Sequence, residues 1–97
     1  MDYLFFDIEC ANCNEGAKIC EFGYVIANHN FEKIEQKNIL INPNAPFDEF
    51  VINSLLNYKK EEYDKSPLLP SVYDEIFSLL NGDRYIVVGH TTQGDAE

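Results

Sequence analysis

Tyr3-Leu4-Phe5-Phe6-Asp7-Ile8-Glu9 is the run whose reading decides how this chain folds. Its first four residues are apolar, and its last three alternate carboxylate, isoleucine, carboxylate. A nearly continuous apolar run of this length predicts a central strand, covered on both faces, over residues 3–8. Alternate residues of a strand share a face, so Asp7 and Glu9 emerge side by side, with Cα atoms roughly 7 Å apart. Two like charges on one face at the end of a core strand repel each other and resist desolvation. A divalent cation with oxygen ligands offsets both costs.

Outward from this run, turn formers crowd residues 12–16, and Ile19–Ala27 reads as a second strand after a connection short enough for an antiparallel pair. Asn28-His29-Asn30 is a polar turn that leaves His29 exposed. Residues 34–41 give a third strand, stopped by Asn42-Pro43-Asn44 and Pro46, so three strands in sequence form a meander. Helical spacing of Phe47, Phe50, Val51, Ile52, Leu55 and Leu56 predicts a helix over 48–58. Residues 59–65 read as a solvated charged segment, including Glu61 and Glu62. Val72, Ile76, Leu79 and Leu80 mark a second helix, with Pro70 in its first turn and Asn81-Gly82 as its stop. Residues 85–88 form a short strand leading into Gly89-His90-Thr91-Thr92-Gln93-Gly94-Asp95.

A strand reached through a helical crossover returns parallel, and right-handed, to an earlier one. Beside the first strand, it would bring Asp95 to the edge where Asp7 and Glu9 end. Ligands bind at that carboxyl edge in open α/β sheets.

Composition narrows the classes. Ninety-seven residues, 45% of them hydrophobic and 13% aromatic, make one globular domain. No apolar run reaches the roughly 18 residues a membrane span needs, and no basic segment precedes the first apolar run. Neither a membrane partner nor a secretory signal is expected, and the expected location is the cytoplasm. Cys10, Cys13 and Cys20 are an odd number, against a disulfide scaffold; Cys10-Ala11-Asn12-Cys13 has zinc or redox spacing but lacks further ligands, and reduced thiols are expected. A net charge of −10 with only seven Lys and Arg counts against a simple nucleic-acid-binding module, and only weakly against a metal-dependent nuclease. A nucleic-acid enzyme of this composition must bind through metals, backbone amides and stacking on aromatic rings.

Phe6-Asp7-Ile8-Glu9, followed about eighty residues later by Val87-Val88-Gly89-His90 and Asp95, resembles the DEDD, or DnaQ-like, 3′–5′ exonuclease superfamily. That superfamily includes ribonuclease T, oligoribonuclease and polymerase proofreading subunits. Its first motif is D-x-E at the end of the first strand, and its second is typically G-H-N-x-x-F-D. The resemblance implies an α/β, ribonuclease H-like fold: an antiparallel three-strand meander, a parallel strand and flanking helices. It implies that residues 1–97 are the N-terminal part of one exonuclease domain, truncated at the C-terminus. By position, Asp7, Glu9 and Asp95 would be catalytic metal ligands for two Mg²⁺ or Mn²⁺ ions roughly 4 Å apart. Asp7 would bridge the ions, Glu9 would bind the ion that activates water, and Asp95 would bind the other directly or through water. The implied substrate is a single-stranded RNA or DNA 3′ end, and a polymerase or helicase is an implied partner.

The departures also carry weight. The family's third motif, a His or Tyr followed by a last Asp, lies beyond the second motif and is not in this sequence. His90 belongs to the second motif, where the family's His is mainly structural. Cys10-Ala11-Asn12 stands where a Thr-rich segment is common, and Gly94 stands where Phe is common. Elements missing after Asp95 would leave apolar faces exposed and favour self-association. The alternative is a catalytically inactive ribonuclease H-like fragment that serves as a protein-interaction or nucleic-acid-end-binding module. A ribonuclease H-type endonuclease shares the fold but fits the second motif less well.

Overall fold

The computed structural model describes residues 1–12 and 18–90. Four strands, β1 (Asp2–Cys10), β2 (Ile19–Ala27), β3 (Lys33–Leu40) and β4 (Tyr85–His90), form one mixed sheet in the order β3-β2-β1-β4. The protein is therefore α/β. β1–β2 and β2–β3 are antiparallel, the expected meander, and β4 runs parallel to β1, with Asp2 opposite Tyr85 and Asp7 opposite His90. Among the described residues no helix is long and apolar enough to cross a membrane.

The β2–β3 hairpin closes on an Asn28 side-chain turn. Asn28 Oδ1 accepts from the N–H groups of Asn30 (2.8 Å) and Glu32 (3.0 Å), and Phe31 sits at φ 65°. His29 is exposed there, as expected.

Helix α2 (Leu69–Asn81) starts with Pro70 in its first turn and ends at Gly82, as its spacing predicted. It packs on the sheet face that carries the even-numbered residues of β1 and β2. Leu4, Phe22, Tyr24, Ile26, Ile39, Ile41 and Leu79 form this core, with Phe6, Ile8, Val72 and Ile76 against it. Tyr24 donates 2.8 Å to Glu35 at the margin, and Lys37 of β3 pairs with Glu75 of α2 at 2.9 Å. Phe6 lies across Gly89: a Cβ there would meet the ring at 2.9 Å. The glycine of Gly89-His90 thus makes room for the aromatic ring before Asp7.

Three expectations change. The helix predicted over 48–58 contracts to a wide π-type turn at Val51–Leu55, whose end is closed by Leu56 N–H to Val51 O at 3.1 Å. Phe50 and Leu55 of its apolar pattern remain exposed, so burial does not extend the helix. The charged 59–65 segment instead contains helix α1 (Lys60–Asp64), started by Glu62 accepting from the Lys59 N–H at 3.4 Å. Tyr63 on α1 is fully buried with Ala11 and Cys20 in a second cluster, with Phe47, Ile52, Leu56 and Tyr58 around it. Finally, β1 is central but not equally covered on both faces. On the odd-numbered face the π turn and α1 cover only the carboxyl end, while Tyr3 and Phe5 remain partly exposed.

Cys20 is where the two clusters divide. The β1–β2 register runs regularly to Glu9 opposite Glu21, then jumps to Cys10 opposite Ile19. The extra residue is a bulge, which sends Ile19 to the α2 face and Cys20 to the α1 side.

Candidate functional site

Asp7 and Glu9 lie on the odd-numbered face at the carboxyl end of β1, with Phe5 before them on the same face. Their cross-strand partners are Gly23 and Glu21, and next to these in β3 come Asn38 and Leu40. Phe5, Asp7, Glu9, Glu21, Gly23 and Asn38 line an open depression of about 370 Å³, with Gln36 and Asn57 at its rim. Gly23 keeps the floor beside Asp7 free of a side chain: a Cβ there would meet Asn38 Oδ1 at 2.7 Å. The Asn38 amide is itself oriented by its 3.3 Å hydrogen bond to the Tyr58 hydroxyl.

The carboxylates are not simply solvated. Asp7 Oδ1 and Glu9 Oε1 are withdrawn from solvent, and Asp7 Oδ1 has no hydrogen-bond donor among the described residues. A buried carboxylate oxygen without a donor is costly. A cation would satisfy it, and paired carboxylate oxygens are the donors that hard divalent cations take. The Asp7–Glu9 pair therefore fits such an ion. The third expected ligand, Asp95, lies outside the described residues.

Glu21 is the carboxylate that the sequence reading did not single out. It is buried opposite Glu9, and its Oε1 accepts a 2.9 Å hydrogen bond from the Tyr63 hydroxyl. Burial raises the Glu21 carboxyl above its ordinary range and the negative charge of Asp7 adds to this, while the Tyr63 hydrogen bond opposes both. Burial and the bond to Glu21 likewise raise the Tyr63 phenol. The available signal was alternation: an antiparallel β1–β2 pair of the right register puts Glu21 on the Asp7 face. Despite this proximity, no group of three or more His, Cys, Asp or Glu among the described residues is arranged to hold a metal ion.

The segment after β1 is tied to the rim. Asn12 is buried and donates to Pro46 O at 2.7 Å, and the Asp48 N–H donates to Ala11 O at 2.9 Å. Cys20 is a buried thiol pushed up to about 12 by desolvation first and then by Glu21. Cys13, the partner in the zinc or redox spacing, lies outside the described residues. No protein-family model matches the chain, and no curated protein matches it.

Proposed function

We propose that this chain carries the Asp-x-Glu half of a metal-dependent 3′–5′ exonuclease site, in a ribonuclease H-like fold, acting on single-stranded RNA or DNA ends. One observation carries the reading. Asp7 and Glu9 share a face at the carboxyl edge of a central strand, with a carboxylate oxygen of each buried, beside a parallel strand ending in Gly89-His90. The meander followed by a crossover to that parallel strand supports the fold assignment.

In this reading Asp7 and Glu9 hold Mg²⁺ or Mn²⁺, and Asp95 is the proposed ligand from the second motif. When bound, such ions supply an activated water and charge stabilisation at the departing 3′ oxygen. The chain's own residues do the rest. Gly23 leaves the floor open for a phosphate to approach Asp7, and Phe5 offers an apolar wall against which a base or sugar can rest. Glu21 adds negative charge behind the pair, so an anionic substrate is repelled until a cation neutralises the site. Substrate binding is therefore cation-dependent.

Calorimetric titration with Mn²⁺, alongside a 5′-labelled oligonucleotide assay, tests this. The expected result is Mn²⁺ binding that is lost in Asp7→Ala and stepwise shortening from the 3′ end. Absence of Mn²⁺ binding in the unaltered chain would sink the proposal. Cation-dependent binding of the 3′ end without shortening, under either metal, would favour the inactive end-binding module.

A further inference from the structure

Of the seven Lys and Arg in the chain, only Lys59 and Lys60 are adjacent in sequence, and both are exposed. With Ile52, Asn53, Tyr58 and Glu61 they line a second depression of about 440 Å³. It adjoins the depression of the carboxylate pair. Asn38 and Asn57 line the first, Tyr58 follows Asn57 and lines the second, and Asn38 Nδ2 donates to the Tyr58 hydroxyl across the boundary at 3.3 Å. Asn38 stands in the same row of the sheet as Asp7, with Gly23 between them.

The segment bearing the lysines is tied to the site a second time. The Tyr58 ring packs edge-on against Tyr63 with centroids 6.2 Å apart, and Tyr63 is bonded to Glu21 opposite Glu9. Lys60 is committed locally: its Nζ pairs with Asp64 at 2.8 Å and lies 5.9 Å from the centre of the Phe47 ring. Among the described residues Lys59 makes no ion pair. The other cations lie elsewhere. Lys37 pairs with Glu75 on the α2 face, Arg84 lies over the Tyr85 ring, and Lys65 closes the far end of α1. Lys18 borders a separate depression, with Pro43 and Leu69, that has no residue in common with that of the carboxylates. Lys33 bonds Gln36 at the far rim, in the row of Tyr3 and Ala27, about 13 Å along the strands from the row of Asp7.

We infer that Lys59 binds the phosphate next upstream of the one held at the carboxylate pair, so that a single strand runs from Asp7 over the Asn38–Tyr58 bond into the lysine depression. The inference rests on the metal-dependent reading of Asp7 and Glu9, and adds the direction in which the strand leaves them. A chain of charge −10 repels a polyanion at long range, so affinity has to come from contacts made inside the screening length, about 8–10 Å. A lysine ammonium on a phosphate oxygen is such a contact, a charge-assisted hydrogen bond that reads no base. Glu61 in the same depression opposes it, and Asp64 takes up the charge of Lys60. The contact is therefore weak, and salt weakens it further.

The test is calorimetric titration of the chain, with Mn²⁺ present, against a single-stranded hexanucleotide whose phosphorothioate linkages resist hydrolysis, at several salt concentrations. Titration with Mn²⁺ alone runs beside it. Lys59→Gln should weaken hexanucleotide binding about threefold and lower the slope of log affinity against log salt by about 0.7, the share of one phosphate on a single strand. It should leave the Mn²⁺ affinity unchanged. Glu61→Gln, which keeps Lys59 and removes the opposing charge, should tighten hexanucleotide binding, whereas Lys33→Gln and Lys18→Gln should leave it unchanged. The inference is overturned if the unaltered chain binds Mn²⁺ yet Lys59→Gln binds the hexanucleotide as well as it does, or if Lys33→Gln or Lys18→Gln costs as much as Lys59→Gln. Mn²⁺ binding with no hexanucleotide binding overturns it too. In each of these cases the metal reading stands, whereas a chain that binds no Mn²⁺ loses both.

Discussion

The Tyr63 hydroxyl donates a 2.9 Å hydrogen bond to Glu21 Oε1, and both side chains are buried. A carboxylate has been brought into a largely apolar setting, within the influence of the Asp7 charge, on the strength of one strong donor. The arrangement costs stability when Glu21 is ionised.

Glu21→Gln should therefore raise the thermal midpoint at pH 7. The folded Glu21 carboxyl is raised above its ordinary value of 4.5. Its contribution to stability is thus full below pH 4.5 and is lost as pH rises through the folded value. The advantage of the glutamine variant should shrink as pH falls from 7 toward 4.5, as read by melting curves at several pH values. A difference between the two proteins that does not change with pH would contradict this.

Tyr63→Phe removes the donor and leaves the carboxylate buried. Denaturant unfolding at pH 7 should show a loss of about 1–3 kcal/mol, the cost of an unsatisfied buried acceptor. In a Glu21→Gln background the same substitution should cost less, because a neutral amide oxygen needs the donor less than an anion does.

Gly89→Ala should destabilise the β1–β4 pair by about 1–3 kcal/mol, because the new methyl group enters the space held by the Phe6 ring. Phe6→Leu alone should also destabilise the chain, yet the double variant should be more stable than the sum of the two losses predicts. A double-mutant cycle measures that coupling. A coupling energy near zero would mean that the ring moves aside freely.

Cys20 should be inert in the folded chain. It is fully buried, and with its thiol held near 12 almost none is thiolate at pH 8. Alkylation followed by mass spectrometry should show Cys20 modified only at the rate of unfolding, with full reactivity in denaturant. Rapid labelling under native conditions would show that the α1 cluster opens locally.

Asp7→Asn should raise the melting midpoint without divalent metal, since it removes one charge from a carboxylate group gathered on one face. The ranking should reverse with Mn²⁺ present, because a ligand that binds only the folded chain stabilises it in proportion to ligand excess. Differential scanning fluorimetry with and without Mn²⁺ reads both arms.

The elements with long uniform patterns were legible in the sequence. β1 and β2 are near-continuous apolar runs, and α2 has a full helical period bounded by Pro70 and Gly82. Their strength also made the parallel return of β4 predictable. The segment from Phe47 to Lys65 was read less well, because its order depends on tertiary contacts. Tyr63 sits in Lys59-Lys60-Glu61-Glu62-Tyr63-Asp64-Lys65, a charged stretch in which one aromatic residue gives no period. Its burial follows from the cavity left by Ala11 and the bulged Cys20, which no local pattern encodes. Of the candidate site, Asp7 and Glu9 were visible as a pair, and the structure brings them to one depression. Glu21 was not singled out, because its place opposite Glu9 depends on the β1–β2 register, which no local pattern fixes.

The interlock of Phe6 with Gly89 joins residues more than eighty positions apart, across a strand pair with no turn to guide it. Such a contact pays its loop-closure entropy in full before it gains anything, whereas the β2–β3 hairpin forms between neighbours. The carboxyl edge beside Asp7 is therefore expected to form late in folding. The expected order is the meander first and the segment bearing Gly89-His90 last, which pulsed hydrogen exchange during refolding would show as β4 amides gaining protection after those of β2 and β3. Any condition that slows that last docking lengthens the time during which the apolar side of β1 is bare.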